Sequence, residues 1–291
     1  MKKESVVPHF EQIRIENTNR CGYKCVMCPR DKHTRKQGIM PIEDFELALD
    51  RVGSFKGELH LHGFGEALLD KGLPEKVRIA KKRMPKAVVG NYTTLGVPFK
   101  ENYFFDLVDS GIDVILVSCY GYTPETYKAI HGRDAFHIVK KNLETLSKAR
   151  SFIDSSLKLE IIPSGEKMLL TLGTQKDPRT EFKEWIESLG FSFTPERRLH
   201  NYGDGRSYNK PEDRLCPVVK DMRRAILQIT WDLKVIPCCY DYNATIPFGD
   251  LRTQTLEEVF SSPAYKAFIE AHLSNNLKNY PVCQNCEKDI Y

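Results

Sequence analysis

This sequence predicts an α/β fold, a parallel sheet wrapped by helices followed by a small α+β C-terminal domain. Three observations predict it. Strand-like and helical stretches alternate along most of the chain, which is the rhythm of parallel strands joined by helical crossovers. A length of 291 residues suits one large domain with an appendage better than two equal ones. Eight of the nine cysteines gather at the two ends, three in one short loop and five beyond residue 215.

The strand-like runs are Ile13 to Asn17, Glu58 to His62, Ala87 to Thr93, Val114 to Cys119, Leu157 to Pro163 and Phe191 to Thr194. Between them fall helical stretches at Pro41 to Val52, Pro74 to Arg83, Asn102 to Ser110, Pro124 to Ile130 with Phe136 to Ala149, and Glu181 to Leu189. Thr123-Pro124 opens one of these as cap and first-turn proline. Gly, Asn, Lys, Pro, Glu and Asp crowd together over residues 205–215, so the chain divides into residues 1–205 and 206–291. Beyond that point Leu227 to Trp231 and Val235 to Pro237 form a hairpin. Thr255 then caps a helix to Phe260, and Ala264 to Leu273 forms another.

Composition removes several function classes. Hydrophobic content of 41% with 28% charged residues is that of a globular chain, and no apolar run is long enough to cross a bilayer. Met1-Lys2-Lys3 leads into no signal-peptide core, so a cytoplasmic protein with no membrane partner is expected. A net charge of +4, with both signs interspersed, argues against a nucleic-acid partner. The basic run Arg30 to Lys36 reads as a solvated loop. Nine cysteines in a cytosolic chain point to metal or redox use before disulfides.

The first set is Cys21, Cys25 and Cys28, spaced C-x3-C-x2-C directly after the first strand. Three thiolates on so tight a loop can hold three corners of an iron–sulfur cubane and leave one iron open. The competing reading is a zinc knuckle or a disulfide pair, but the next histidine, His33, has no recognisable ligand spacing. This motif resembles that of the radical S-adenosylmethionine (radical SAM) enzymes. The resemblance implies a partial (β/α)6 TIM-type barrel and a [4Fe-4S] cluster whose open iron chelates S-adenosyl-L-methionine. It also implies cleavage of SAM to a 5'-deoxyadenosyl radical, with the electron from a flavodoxin- or ferredoxin-type donor. Met27 stands where the family usually has an aromatic residue, and its thioether can cover an adenine face.

In parallel barrels the chemistry gathers at the C-terminal strand ends. Gly65-Glu66, after the second strand, resembles the family element that holds the SAM ammonium. Thr94, after the third, sits in a diverged Thr-Asn-Gly element, and Ser118 matches a serine near the SAM ribose or carboxylate. Tyr120 replaces the usual aspartate of that strand end. Ile162, at the end of the fifth strand, matches the apolar residue that touches the adenine. His60 and His62 share one face of their strand and read as barrel-lining histidines, with a metal pair as the alternative. Cys119 alternates away from Ser118 and reads as packing.

Five cysteines make the second set: Cys216, the adjacent Cys238-Cys239, and Cys283 with Cys286 as a terminal C-x2-C. One cysteine before the hairpin, one at its end and the terminal pair can close a four-thiolate shell, either a zinc ribbon or an iron–sulfur site. The layout is similar to the twitch domain, the shortened SPASM form that binds one auxiliary [4Fe-4S] cluster. That similarity gives Cys216, Cys238, Cys283 and Cys286 as ligands and leaves Cys239 over.

In the resembled enzymes a substrate radical between two clusters has three fates: loss of an electron and a proton, hydrogen return from a thiol, or coupling within a peptide. Only 20 residues precede Cys21, which favours a small-molecule substrate over a recognised peptide. The resemblance to aminocyclitol dehydrogenases and aminoglycoside epimerases implies oxidation of a polyhydroxylated or amino-sugar alcohol. Its alternatives are epimerisation with Cys239, or after it Cys119, as hydrogen donor, modification of a ribosomal peptide, and a non-catalytic zinc-binding module. Arg197 and Arg198 are candidates for substrate contact or proton handling.

Overall fold

The computed structural model describes residues 7–163, 179–195, 200, 202–203, 205–206, 215–220 and 225–288. Six parallel strands lie in sequence order: β1 (Phe10–Ile15), β2 (Glu58–His60), β3 (Val88–Thr93), β4 (Val114–Ser118), β5 (Lys158–Ile162) and β6 (Ser192–Phe193). The helices between them are α1 (Ile42–Val52), α2 (Leu73–Arg83), α3 (Glu101–Asp109), α4 (Pro124–His131), α5 (Phe136–Ile153) and α6 (Arg179–Ser188). This is the partial barrel that the family resemblance implies, and each expected strand and helix is present with ends moved by a few residues.

Alternation sets the two faces. Ile13, Ile15, Leu59, Leu61 and Val89 are buried under the helices, at most 1% exposed. Arg14, in register with His60 of β2, therefore turns to the barrel lumen. Helix α1 buries Phe45, Ala48 and Leu49 at helical spacing and stops at Gly53, whose φ of 72° a side chain resists. Thr123 caps α4 in a capping box with Thr126 and Pro124 in the first turn, as the sequence indicates. Gly132 ends α4 in the left-handed region, where a Cβ would lie 2.6 Å from the Lys24 carbonyl oxygen. That close approach seats the first cysteine loop on the end of α4.

Less expected is the route of the C-terminal part, which continues the same sheet. Strand β7 (Ala225–Ile229) pairs in parallel with β1, with Arg14 opposite Gln228 and Ile15 opposite Ile229. β8 (Lys234–Ile236) and β9 (Gly249–Asp250) follow antiparallel. The nine described strands thus run β6-β5-β4-β3-β2-β1-β7-β8-β9. Four short helices complete this part: α7 (Pro217–Lys220), α8 (Leu256–Ser261), α9 (Pro263–Leu273) and α10 (Pro281–Gln284). The expected boundary over residues 205–215 falls largely outside the described residues. Among those described, no helix is long and apolar enough to cross a membrane.

Candidate radical and auxiliary cluster sites

The loop that carries Cys21, Cys25 and Cys28 leaves β1 and is tied down on three sides. The Lys24 and Val26 amides donate to the carbonyls of His131 and Ile130 at the end of α4. The Arg206 guanidinium donates to the carbonyls of Val26, at 3.0 Å, and Cys28, and pairs with Asp31. Tyr23 is buried in an edge contact with Tyr127, and their hydroxyls are 3.1 Å apart. The run from Arg30 to Lys36 is not the solvated loop expected. Lys32, Thr34 and Lys36 are exposed, but Arg30 reaches the Asn19 and Phe64 carbonyls, and Arg35 forms a two-pronged pair with buried Glu16. Carbonyls and one carboxylate left inside the loop need these guanidinium donors.

Burial pushes all three thiols up. Cys28 rises to about 12, through burial first and the charge of Cys21 second, and Cys25 feels both neighbours. Thiols that resist ionisation together suit a cationic core that would draw the protons off. A second contact reaches Cys25 from α4: His131 Nδ1 stands 3.4 Å from its Sγ.

The expected SAM residues fall on one rim, at the C-terminal ends of β2 to β5. Gly65 packs so closely that a Cβ would lie 2.4 Å from the Thr18 carbonyl oxygen. Glu66 is 2% exposed, and its four lone-pair positions are all taken. Oε1 accepts from Leu68 N and Thr93 Oγ1, and Oε2 accepts from Thr94 N and Thr94 Oγ1. Within the chain this carboxylate clasps the end of β3. Ser118 is half-buried and in register with buried Ile162. Met27 packs against Ile130 beside Cys25 and Tyr120. Cys119 is fully buried in the core, which supports its reading as packing.

The second set converges as well. Burial, and then Cys239, Cys283, Cys216 and Cys286 in that order, hold the Cys238 thiol well above its usual range. Cys216, Cys238, Cys283 and Cys286 line one pocket with Phe268, His272 and Val282. His272 is 5% exposed and its Nε2 has no partner. An orphaned nitrogen beside four thiols in an apolar pocket fits a group with acceptor sulfurs. The Lys288 amide already donates to Cys286 Sγ at 3.1 Å. Cys239 turns elsewhere, with its Sγ 3.3 Å from Arg14 Nη1 on the lumen side of β1. Arg197 and Arg198 lie outside the described residues. Among those described, no three His, Cys, Asp or Glu side chains gather tightly enough for a single metal ion. A cubane, whose irons each take one thiolate, asks for a wider spread.

Two family models match, the radical SAM superfamily over residues 15–158 and the SPASM iron–sulfur cluster-binding domain over residues 216–287. The chain belongs to the radical SAM superfamily. As a radical SAM chain with a SPASM-type domain it has a [4Fe-4S] cluster, SAM and auxiliary iron–sulfur binding as its cofactors. Its fold resembles that of BtrN in complex with AdoMet and 2-DOIA: TM-score 0.63, 17% identity, 97% of this chain and 94% of that chain. Native anSMEcpe with bound AdoMet is similar too, at TM-score 0.65 and 16% identity, covering 95% of this chain and 89% of that one. A GTP 3',8-cyclase of Chlorobaculum tepidum is 31% identical over 137 residues, 47% of this chain and 41% of that protein. The match thus spans 41–62% of the length of these curated relatives.

Sequence reasoning placed both cysteine sets but missed Arg14, Glu16, Arg35 and His131. Each acts through a partner distant in sequence, and none carries a local motif.

Proposed function

We propose that this radical SAM enzyme abstracts hydrogen from a small polyhydroxylated or amino-sugar substrate and oxidises one of its alcohols. The observation that carries the reading is the polar lining that β1, β2 and β7 turn to the lumen. Arg14, His60 and Gln228 stand in register on adjacent strands, at 3–4% exposure, with the Tyr92 ring tilted against His60 and His62 at 5.3 and 4.3 Å. Arg14 is held by Gln12 and beside Cys239, and His60 by Glu58, so the wall is polar and fixed in place, which suits hydroxyl and amino groups better than apolar side chains.

Residues would divide the work as follows. Cys21, Cys25 and Cys28 hold the first cluster, and Cys216, Cys238, Cys283 and Cys286 the second. Gly65, Thr94, Ser118 and Ile162 form the rim for SAM, and Glu66, its acceptor positions filled within the chain, holds Thr94 in that rim. When bound, the first cluster supplies the electron that yields the 5'-deoxyadenosyl radical, and the second is an acceptor for the electron the substrate loses. Burial of the lining keeps bulk water from the reacting carbon. Arg198 remains the candidate for proton handling, and a flavodoxin- or ferredoxin-type protein the candidate donor.

A second reading has its own observation. Arg14 holds the Cys239 thiol toward the lumen, where it could return a hydrogen atom and give an epimer. Incubation of anaerobically reconstituted enzyme with SAM, a strong reductant and a panel of aminocyclitols and amino sugars in deuterated water tests both. Oxidation predicts 5'-deoxyadenosine together with a product two hydrogens lighter. A product with unchanged hydrogen count that carries solvent deuterium, lost in Cys239→Ala, replaces oxidation with epimerisation.

A further inference from the structure

His131 closes α4 with its side chain fully buried. It has neighbours on every side: Tyr127 stacks at 4.1 Å, Tyr120 at 5.2 Å, and Tyr23 meets it edge-on at 5.7 Å. Both ring nitrogens are engaged. The Tyr120 amide, at the end of β4, lies 3.0 Å from Nε2, and Cys25 Sγ lies 3.4 Å from Nδ1.

These two contacts fix the tautomer. A backbone N–H can only donate, so Nε2 is the acceptor and carries no proton. The one ring proton of the neutral imidazole is then on Nδ1, directed at sulfur. His131 is held in this orientation by stacking and by the loop itself, whose Lys24 amide donates to the His131 carbonyl.

We infer that His131 is a positioning residue for the first cluster, donating its Nδ1–H to the Cys25 thiolate and thereby raising that cluster's reduction potential. The charge argument is direct. Reduction adds an electron to a core whose ligand sulfurs are already negative, and a donor dipole aimed at one sulfur favours the reduced state. Cys21 and Cys28 have backbone partners at Tyr23 and Arg30, and among the described residues only Cys25 receives an imidazole, so this side-chain effect is built into the Cys25 corner. Tyr120, which replaces the family aspartate, supplies both the amide and a stacked ring, so the strand end that carries Ser118 is joined to the cluster through a single imidazole. The inference needs the first cluster but no substrate, and it stands if the alcohol-oxidation reading fails.

The test is an EPR-monitored redox titration of the reconstituted full-length protein without substrate, in which the first cluster is identified as the signal that changes on adding SAM. His131→Phe keeps an aromatic ring in the stack and removes the donor. At fixed potential its ratio of reduced to oxidised first cluster should fall about tenfold, equivalent to ~59 mV for a one-electron couple. The auxiliary cluster should not move, and His131→Gln, with a carbonyl for Tyr120 and an amide N–H for sulfur, should recover the wild-type value. An unchanged midpoint in His131→Phe, or an equal shift of both clusters, overturns the inference. Should His131→Phe fail to load iron, wild-type protein labelled with 15N-histidine decides by pulsed EPR. A histidine nitrogen coupled to the SAM-responsive signal supports the hydrogen bond, and no coupling refutes it.

Discussion

Arg14 Nη1 stands 3.3 Å from Cys239 Sγ, and this contact separates two adjacent cysteines by the company they keep. Cys238 faces Cys216, Cys283 and Cys286, whereas Cys239 faces a guanidinium on the first barrel strand. Cys238→Ser should therefore reduce iron and sulfide to about half of the two-cluster content, since one cubane loses a ligand. Cys239→Ser should leave both unchanged. Iron and sulfide assays on anaerobically reconstituted protein check this, and loss of iron in Cys239→Ser would reverse the assignment.

Glu66 has no spare acceptor site, so its amide isostere cannot replace it. In Glu66→Gln an NH2 group must face either Leu68 N and Thr93 Oγ1 or Thr94 N and Thr94 Oγ1. At least one buried backbone donor then loses its acceptor, at a cost of about 1–3 kcal/mol. The variant should show a lower denaturation midpoint and a reduced yield of 5'-deoxyadenosine at unchanged iron content. Normal SAM cleavage in Glu66→Gln would show that the clasp on Thr94 is dispensable.

What was legible in the sequence follows from the range over which each feature is encoded. Cys21, Cys25 and Cys28 lie within one loop, so spacing alone suggests their chemistry. The barrel strands are apolar runs, and Thr123 with Pro124 marks a helix start by local capping. The pairing of β7 with β1 sets Arg14 beside Gln228 across more than 200 residues, and no local pattern specifies that register. The basic run misled for a related reason. Arg30 and Arg35 look like surface charge until the Phe64 carbonyl and the Glu16 carboxylate are brought against them.

Asp70 and Lys76 form a buried pair beneath the rim, with Lys76 Nζ 2.6 Å from Asp70 Oδ2 and side chains 5% and 1% exposed. Burial lowers the Lys76 pKa, the Asp70 charge opposes that shift, and the Met40 carbonyl takes a second ammonium proton. Lys76→Met strips the counter-ion from a carboxylate that, among the described residues, keeps only Asn17 Nδ2 and Gly72 N as donors. The expected loss is about 3–5 kcal/mol, seen as a lower urea midpoint. Asp70→Leu/Lys76→Met should lose less than Lys76→Met alone, because no unpaired charge remains buried.

Glu16 joins the first cysteine loop, the β2 loop and the C-terminal hairpin at one carboxylate. Its oxygens accept from Arg35 at 2.8 and 2.9 Å, from Phe64 N at 2.9 Å and from Trp231 N at 3.1 Å. Arg35 also donates from Nε to the Tyr242 carbonyl at 2.9 Å, so one guanidinium spans the barrel and the SPASM-type part. Arg35→Leu removes the only side-chain cation paired with Glu16 among the described residues, and the two amides remain. Because Glu16 is 2% exposed, the variant leaves a buried carboxylate without its charge partner, and the loss should be about 3 kcal/mol or more. Proteolysis should then cut the segment near Tyr242 faster, while Arg35→Lys, which keeps charge but not the two-pronged geometry, should fall between the two. If Arg35→Leu matched wild type in both urea midpoint and proteolysis, the β1–β7 ladder and the remaining contacts of Trp231 and Asn243 would hold the hairpin without the guanidinium.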